Sequence, residues 1–129
     1  MLDKRYVLDA SALLAVIHKE TGADKVQPLL DEAVISSVNW SEVMQKLRKA
    51  GLNAGSIGQL LQSLGLEVVP FSQQQAEIAA ELWQQAAPLG LSLADRACVA
   101  TGEDMQMEIV TADKIWKDLS ISSPVMSIR

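Results

Sequence analysis

The 129 residues make one domain's worth of chain. With 49% hydrophobic and 21% charged residues the chain can bury a sizeable core, which excludes disorder as a global description. Sixteen acidic against 11 basic residues leave a net charge of −5, which argues against a protein held on nucleic acid by bulk charge. Tyr6, Trp40, Phe71, Trp83 and Trp116 are the only aromatics, too few for a base-stacking platform. A lone Cys98 excludes a disulfide framework and a Cys-based zinc site, and a lone His18 makes Ser-His-Asp machinery hard to build. Met1 to Tyr6 lacks the apolar stretch of a signal peptide, and no apolar run approaches the ~20 residues of a membrane span. The expectation is a soluble, cytoplasmic protein.

Short apolar runs alternate with amphipathic stretches. Tyr6-Val7-Leu8 reads as a strand, followed by a helix over Ala12 to Ile17. Thr21 to Glu32 has helical character interrupted at Pro28. Ala33-Val34-Ile35 is a second strand, and Asn39 opens a helix through Lys49 that Gly51 closes. Ala54 to Leu64 is a helix ending at Gly65, and Leu66 to Val69 a third strand stopped by Pro70. Gln73 to Ala87 and Ser92 to about Asp104 are helical, the first terminated by Pro88 and Gly90. Ile109-Val110 is a fourth strand, Lys114 to Leu119 a short helix and Val125-Met126 a last strand. Strands separated by helices pair in parallel through crossovers, which predicts a single α/β domain over residues 1–129 with a central parallel sheet of four to five strands flanked by helices.

In open α/β sheets ligands collect beyond the carboxyl ends of the strands. Asp9 follows the first strand and Asp113 the fourth, while Glu42 and Asp95 sit in the first turns of helices. Each carboxylate also has a local use. Asn39-Trp40-Ser41-Glu42 and Ser92-Leu93-Ala94-Asp95 have the form of capping boxes, and Asp9 and Asp113 precede helices as caps. Caps explain the chemistry of each position but not their shared edge. Converging carboxylates repel by ~4 kcal/mol per pair at ~4 Å and an effective dielectric near 20, so they need a cation. Oxygen donors without His or Cys suit Mg²⁺ or Mn²⁺, as one or two ions. Such an ion can deliver hydroxide and stabilise a transferring phosphoryl group without a covalent nucleophile.

Val7-Leu8-Asp9-Ala10-Ser11-Ala12-Leu13-Leu14 resembles the opening motif of PIN-domain nucleases. Ile35 to Val43 is similar to their second motif, Leu91-Ser92-Leu93-Ala94-Asp95 to their third and Ile109-Val110-Thr111-Ala112-Asp113 to their fourth. Order and spacing fit over essentially the whole chain, and the small single-domain form is most like the VapC toxins of toxin–antitoxin modules. The resemblance implies a metal-dependent endoribonuclease that leaves a 5′-phosphate and a 3′-hydroxyl. Asp9, Glu42, Asp95 and Asp113 would be the catalytic and metal-binding acids, with Ser11 and Thr111 in support. It also implies a homodimer acting on structured RNA, often transfer RNA, and silenced by an antitoxin protein. Two departures stand out. Lys114-Ile115 follows the fourth motif where some relatives place a further acid, and the polar run Gly102 to Met107 is expected to loosen that corner.

Lys46, Arg48, Lys49, Arg96 and Lys114 are candidate RNA-backbone contacts; for Lys46 the competing reading is an ion pair with Glu42 one turn earlier. Cys98 reads as buried and apolar, and His18 as solvent-facing. The stripes Leu60, Leu61, Leu64 and Ile78, Leu82, Trp83 read as core or partner surface. The rival functions are a non-catalytic PIN-like interaction module and an aspartyl-phosphate protein. The latter is disfavoured because Asp9-Ala10-Ser11 lacks a second Asp. Setting the four acids apart, sixteen less four leaves 12 acidic against 11 basic residues, a nearly neutral remaining surface.

Overall fold

Side chains alternate along each central strand, and each face of the sheet therefore needs its own cover. In the computed structural model, which describes residues 3–129, strands β1 (Tyr6–Leu8), β2 (Ala33–Ser36), β3 (Glu67–Val69), β4 (Glu108–Thr111) and β5 (Val125–Ser127) form one sheet. Their order is β3-β2-β1-β4-β5 and every pairing is parallel. Tyr6, Leu8, Ala33, Ile35 and Val110 point into one core. Val7, Val34 and Ile109 point into the other. The three inner strands are therefore near-continuous apolar runs, as a sheet covered on both faces requires.

Seven α-helices among the described residues supply the cover. Helices α1 (Ala10–Ile17), α2 (Ala23–Val26), α3 (Ser37–Lys49) and α4 (Ala54–Ser63) pack on the first face through Leu13, Val26, Val43, Leu47 and Leu61. The opposite face is covered by α5 (Gln73–Glu81), α6 (Trp83–Ala86) and α7 (Leu93–Met105), through Ala79, Ala86, Cys98 and Val99, together with Trp116. Among the described residues there are also three 3-10 helices, at Gln27–Glu32, Ala87–Leu89 and Lys114–Asp118, the first two with proline in their opening positions. No helix among the described residues is long and apolar enough to cross a membrane.

The observed elements differ from the expected ones at two places. Helix α3 begins at Ser37 under a Ser36 cap, so Asn39 is an interior, buried residue and not the cap. The expected Gln73 to Ala87 helix is interrupted at Leu82, and of the short α6 that follows only Ala86 packs into the second core while Trp83 is exposed. At the corner from Gly102 to Met107, Gly102 and Met107 are buried while Met105 and Gln106 are exposed, and Glu103 and Gln106 line a groove shared with Ser122, Ser123 and Pro124. Gln106 takes the left-handed conformation (φ 56°) that ends α7, and a Cβ on Gly102 would stand 2.5 Å from Ile109 Cγ1. A Gly→Ala change inside a helix normally stabilises by up to ~1 kcal/mol. Here overpacking, ~1–3 kcal/mol, is set against it. Gly102→Ala is expected to lower the urea midpoint; a raised midpoint would show that Ile109 yields freely.

Strand order places the switch between β1 and β4: from β1 the chain proceeds to β2 on one side, and β4 returns on the other. The crevice beyond the carboxyl ends of these two strands is where an α/β sheet offers a ligand site. Asp9 and Thr111 lie at those ends.

Candidate active site

Asp9 caps α1, accepting a 2.8 Å hydrogen bond from the Ala12 amide on Oδ1. Its Oδ2 accepts a 2.6 Å bond from the Thr111 hydroxyl across the switch point. The Ser11 hydroxyl lies 2.7 and 2.8 Å from the two carboxylate oxygens and accepts the Ala112 amide at 3.0 Å. Thr111 Oγ1 in turn accepts the Asp113 amide at 3.1 Å. Two hydroxyls thus stitch the ends of β1 and β4 around one carboxylate. Asp9 is only 5% exposed. Burial pushes its carboxyl from the ordinary 3.8 up to about 6, the three hydrogen bonds pull it down, and the charge of Asp95 adds to the rise.

Thr111→Val keeps the shape, removes one of those bonds and leaves the Asp113 amide without its acceptor. We expect a loss of ~1–3 kcal/mol in urea unfolding, the range for stranding buried polar groups. Losing a bond that favours the carboxylate drives Asp9 further up. The loss is therefore larger at pH 7.5, where Asp9 is ionised, than at pH 4.5, and equal losses at both would contradict it.

The other three acids lie on the same edge, each held by a local partner. Asp95 completes a capping box, its Oδ2 accepting the Ser92 amide at 2.9 Å while Ser92 Oγ accepts the Asp95 amide at 3.1 Å. Asp113 is exposed and caps its 3-10 helix through the Ile115 amide at 3.1 Å. Glu42 Oε1 accepts from the side-chain amide of Asn39 at 3.1 Å, in place of the expected capping box.

The charges of Asp9, Asp95 and Glu42 all act on Cys98, buried beneath them, whose thiol is pushed well above its usual range first by burial and then by these carboxylates. The fields of these three acids therefore overlap at one point of α7. Among the described residues no three His, Cys, Asp or Glu side chains are already close enough to hold a metal ion.

The donor set nevertheless fits a hard divalent ion. Among the described residues none of the four acids is in a salt bridge; the two pairs present are Arg5–Glu32 and Arg129–Glu20. Asp95 Oδ1, Asp113 Oδ2 and Glu42 Oε2 accept no hydrogen bond from these residues, since each side chain's single protein bond goes to the other oxygen. All-oxygen donors with uncompensated charge, one of them buried, suit Mg²⁺ or Mn²⁺.

The basic candidates separate. Arg96 is tied to α5, its guanidinium donating to the Ala79 carbonyl at 2.8 Å, and its Nε is buried without a partner. Lys46, Arg48, Lys49 and Lys114 are exposed. The Glu42–Lys46 ion pair does not form.

Asn39 is the residue that sequence reasoning misassigned. It is 1% exposed and its Nδ2 bridges Glu42 to the carbonyl of Ala94, the residue before Asp95, at 3.0 Å. Both partners are acceptors, so the amide can point only one way. The signal was available: Asn39, Val43 and Leu47 share a four-residue spacing, and all three are buried.

A PIN domain model matches residues 6–121. No curated protein sequence matches the chain. Several solved structures are similar. A toxin–antitoxin complex from Klebsiella pneumoniae matches with TM-score 0.76 at 21% identity, over 96% of this chain and 98% of that one. A DNA-bound VapBC from Salmonella typhimurium matches with TM-score 0.73 at 14% identity, over 98% and 99%. The VapC20 toxin of Mycobacterium tuberculosis, described as cleaving the sarcin-ricin loop, matches with TM-score 0.73 at 13% identity, over 91% and 96%. These likenesses concern the fold. The family model spans most of the sequence and places Asp9 and Asp113 within the match, and with it the chain belongs to the PIN domain family of nucleases.

Proposed function

We propose that residues 1–129 form one PIN domain acting as a Mg²⁺- or Mn²⁺-dependent endoribonuclease, the toxin of a cytoplasmic toxin–antitoxin pair. The observation that carries this reading is Asp9: a buried carboxylate at the switch point, raised to about 6 and without a cationic partner. Asp9, Asp95 and Asp113 would hold one or two ions, with Glu42 a direct or indirect ligand. When bound, the metal supplies Lewis acidity, stabilising charge on the phosphoryl oxygens and activating water.

The chain's own residues set the stage. Ser11 and Thr111 fix the rotamer of Asp9 and leave its ionised form hydrogen-bonded. Asn39 ties Glu42 to the N-terminal turn of α7, so the acids of α3 and α7 keep a common reference. Phosphodiester hydrolysis of this kind needs no covalent nucleophile, and the buried Cys98 thiol, held protonated, is not offered as one.

Support for an RNA substrate is the similarity to a structure described as a sarcin-ricin loop cleaving toxin. Support for an antitoxin partner is the similarity to toxin–antitoxin complexes, one of them on DNA. We read the active form as a homodimer, with Lys46, Arg48, Lys49 and Lys114 along the RNA backbone and Arg96 a weaker candidate because of its tie to α5. Purified protein incubated with total RNA or transfer RNA is expected to cleave with Mg²⁺ or Mn²⁺ and to leave 5′-phosphate ends. Equal cleavage in EDTA would contradict the proposal.

A further inference from the structure

Helix α1 carries Ser11, Leu14 and His18 at spacings of three and four, with His18 as its C-cap, and these residues form a stripe running away from Asp9. They line a groove of about 310 Å³ whose other walls are Lys46, Glu20 and Arg129. Seven residues of helical rise make the stripe ~10 Å long. One end is Ser11, whose hydroxyl touches Asp9. The groove therefore continues the carboxylate site.

Its charged walls are Lys46 and Arg129, with Glu20 paired to Arg129. Lys46 lies one turn after Glu42 on α3 and makes no ion pair among the described residues, so its ammonium is available. Arg129 is brought from the far end of the sequence by the bond from the Ile128 amide to the Thr111 carbonyl at 2.9 Å. Its guanidinium is fixed by Glu20 at 3.1 Å and the Thr21 carbonyl at 3.2 Å, through Nη2 and Nε, which leaves Nη1 without a protein partner among the described residues. His18 adds a third donor. The C-terminal end of a helix repels anions, and these cations lie where that repulsion must be offset if an anion is to follow the stripe. On a chain of net charge −5 the groove thus sets two cations against one acid, with Lys46 outside any ion pair among the described residues.

We propose that this groove is a phosphate subsite for the RNA strand. It holds the backbone phosphate next to the one positioned at Asp9, with Lys46 and Arg129 as its charged contacts and His18 at its outer end. The inference rests on the ribonuclease reading above and adds a direction to it: the strand leaves the acids along α1 toward the chain's C-terminal residue. An acidic protein segment is the competing ligand. It is disfavoured because the groove opens onto the hydrolytic carboxylate through Ser11, where a strand held at Asp9 must pass.

The test measures binding of a fluorescent single-stranded RNA by anisotropy, in EDTA so that cleavage does not interfere, across a salt series. Parent protein is compared with Lys46→Gln, Arg129→Gln and, as a control at the opposite edge of the sheet, Arg5→Gln. Loss of one phosphate contact on a single strand lowers the slope of log affinity against log salt by about 0.7. That reduction, with several-fold weaker binding, is expected for Lys46→Gln and for Arg129→Gln but not for Arg5→Gln.

Unchanged affinity and slope in both groove variants would overturn the subsite while leaving the ribonuclease reading intact if the parent still cleaves. A parent that neither binds nor cleaves RNA overturns both. Indifference to RNA combined with Lys46-dependent binding of polyglutamate would replace the strand with an acidic protein segment.

Discussion

Asp9→Asn is expected to abolish RNA cleavage and, in metal-free protein, to raise stability at neutral pH by up to about 3 kcal/mol. The two effects share one cause. In the folded protein the Asp9 carboxyl titrates at about 6, against 3.8 for an ordinary carboxylate. The native state therefore binds the proton more tightly than the unfolded chain, and stability falls as pH rises wherever that is so. The favourable contribution is complete below the unfolded value, declines between roughly pH 4 and 6, and is lost above. At 1.36 kcal/mol per pH unit the difference accumulates to about 3 kcal/mol.

Asparagine carries no charge to desolvate. Its amide oxygen can accept from Ala12, and its nitrogen can donate to a Thr111 or Ser11 hydroxyl rotated to receive it. Urea unfolding of both proteins at pH 4 and pH 7.5 in EDTA checks this: near-coincident curves are expected at pH 4, with the variant the more stable at pH 7.5. A variant destabilised at both pH values would mean that the carboxylate's hydrogen bonds outweigh its desolvation.

Trp116→Ala is expected to cost ~3–5 kcal/mol, the range for truncating a buried aromatic. Trp116 is 1% exposed and fills the second core against residues of β4 and α7. It lies in the 3-10 helix that Asp113 caps, and its amide donates to the Asp113 carbonyl at 3.3 Å. The cavity would therefore open directly beneath an acid of the site. Domain stabilities are typically about 5–15 kcal/mol, so this single change removes a fifth or more of a typical value. Trp83 supplies the comparison: it is 60% exposed, and Trp83→Ala should fall within ~0.5 kcal/mol of the parent, as surface substitutions do. Circular dichroism in urea reports both without relying on tryptophan emission.

Element types were legible because the sheet is covered on both faces and the helices carry conventional stops. The apolar triplets at 6–8 and 33–35 are strands, and the glycines at 51, 65 and 90 fall where the chain turns. The local caps were legible too, since Ser92 with Asp95 and Asp113 with Ile115 need only neighbours in sequence. What escaped depends on contacts between distant segments. Asn39 has cap chemistry, but Ser36 sits three residues earlier at the strand end and takes the cap, leaving Asn39 to bridge α3 and α7. Arg96 adjoins an acid of the site in sequence, yet one reach across to α5 commits its guanidinium. The groove beside Ser11 exists because the chain's last residues close against Thr111 and Thr21, more than a hundred residues after the helix they adjoin in the case of Thr21. Composition placed the acid excess but could not show that cations flank it.

Calorimetric titration of Mn²⁺ into the metal-free protein at pH 6 tests the divalent site most directly. There Asp9 is about half protonated, and an ion held by its carboxylate must displace that proton. Parent protein is expected to bind with proton release, visible as a dependence of the heat on the buffer's ionisation enthalpy, and Asp9→Asn is expected to show neither. Absence of binding by the parent, or equal binding by Asp9→Asn, would contradict the assignment of a metal-dependent nuclease site to this edge of the sheet.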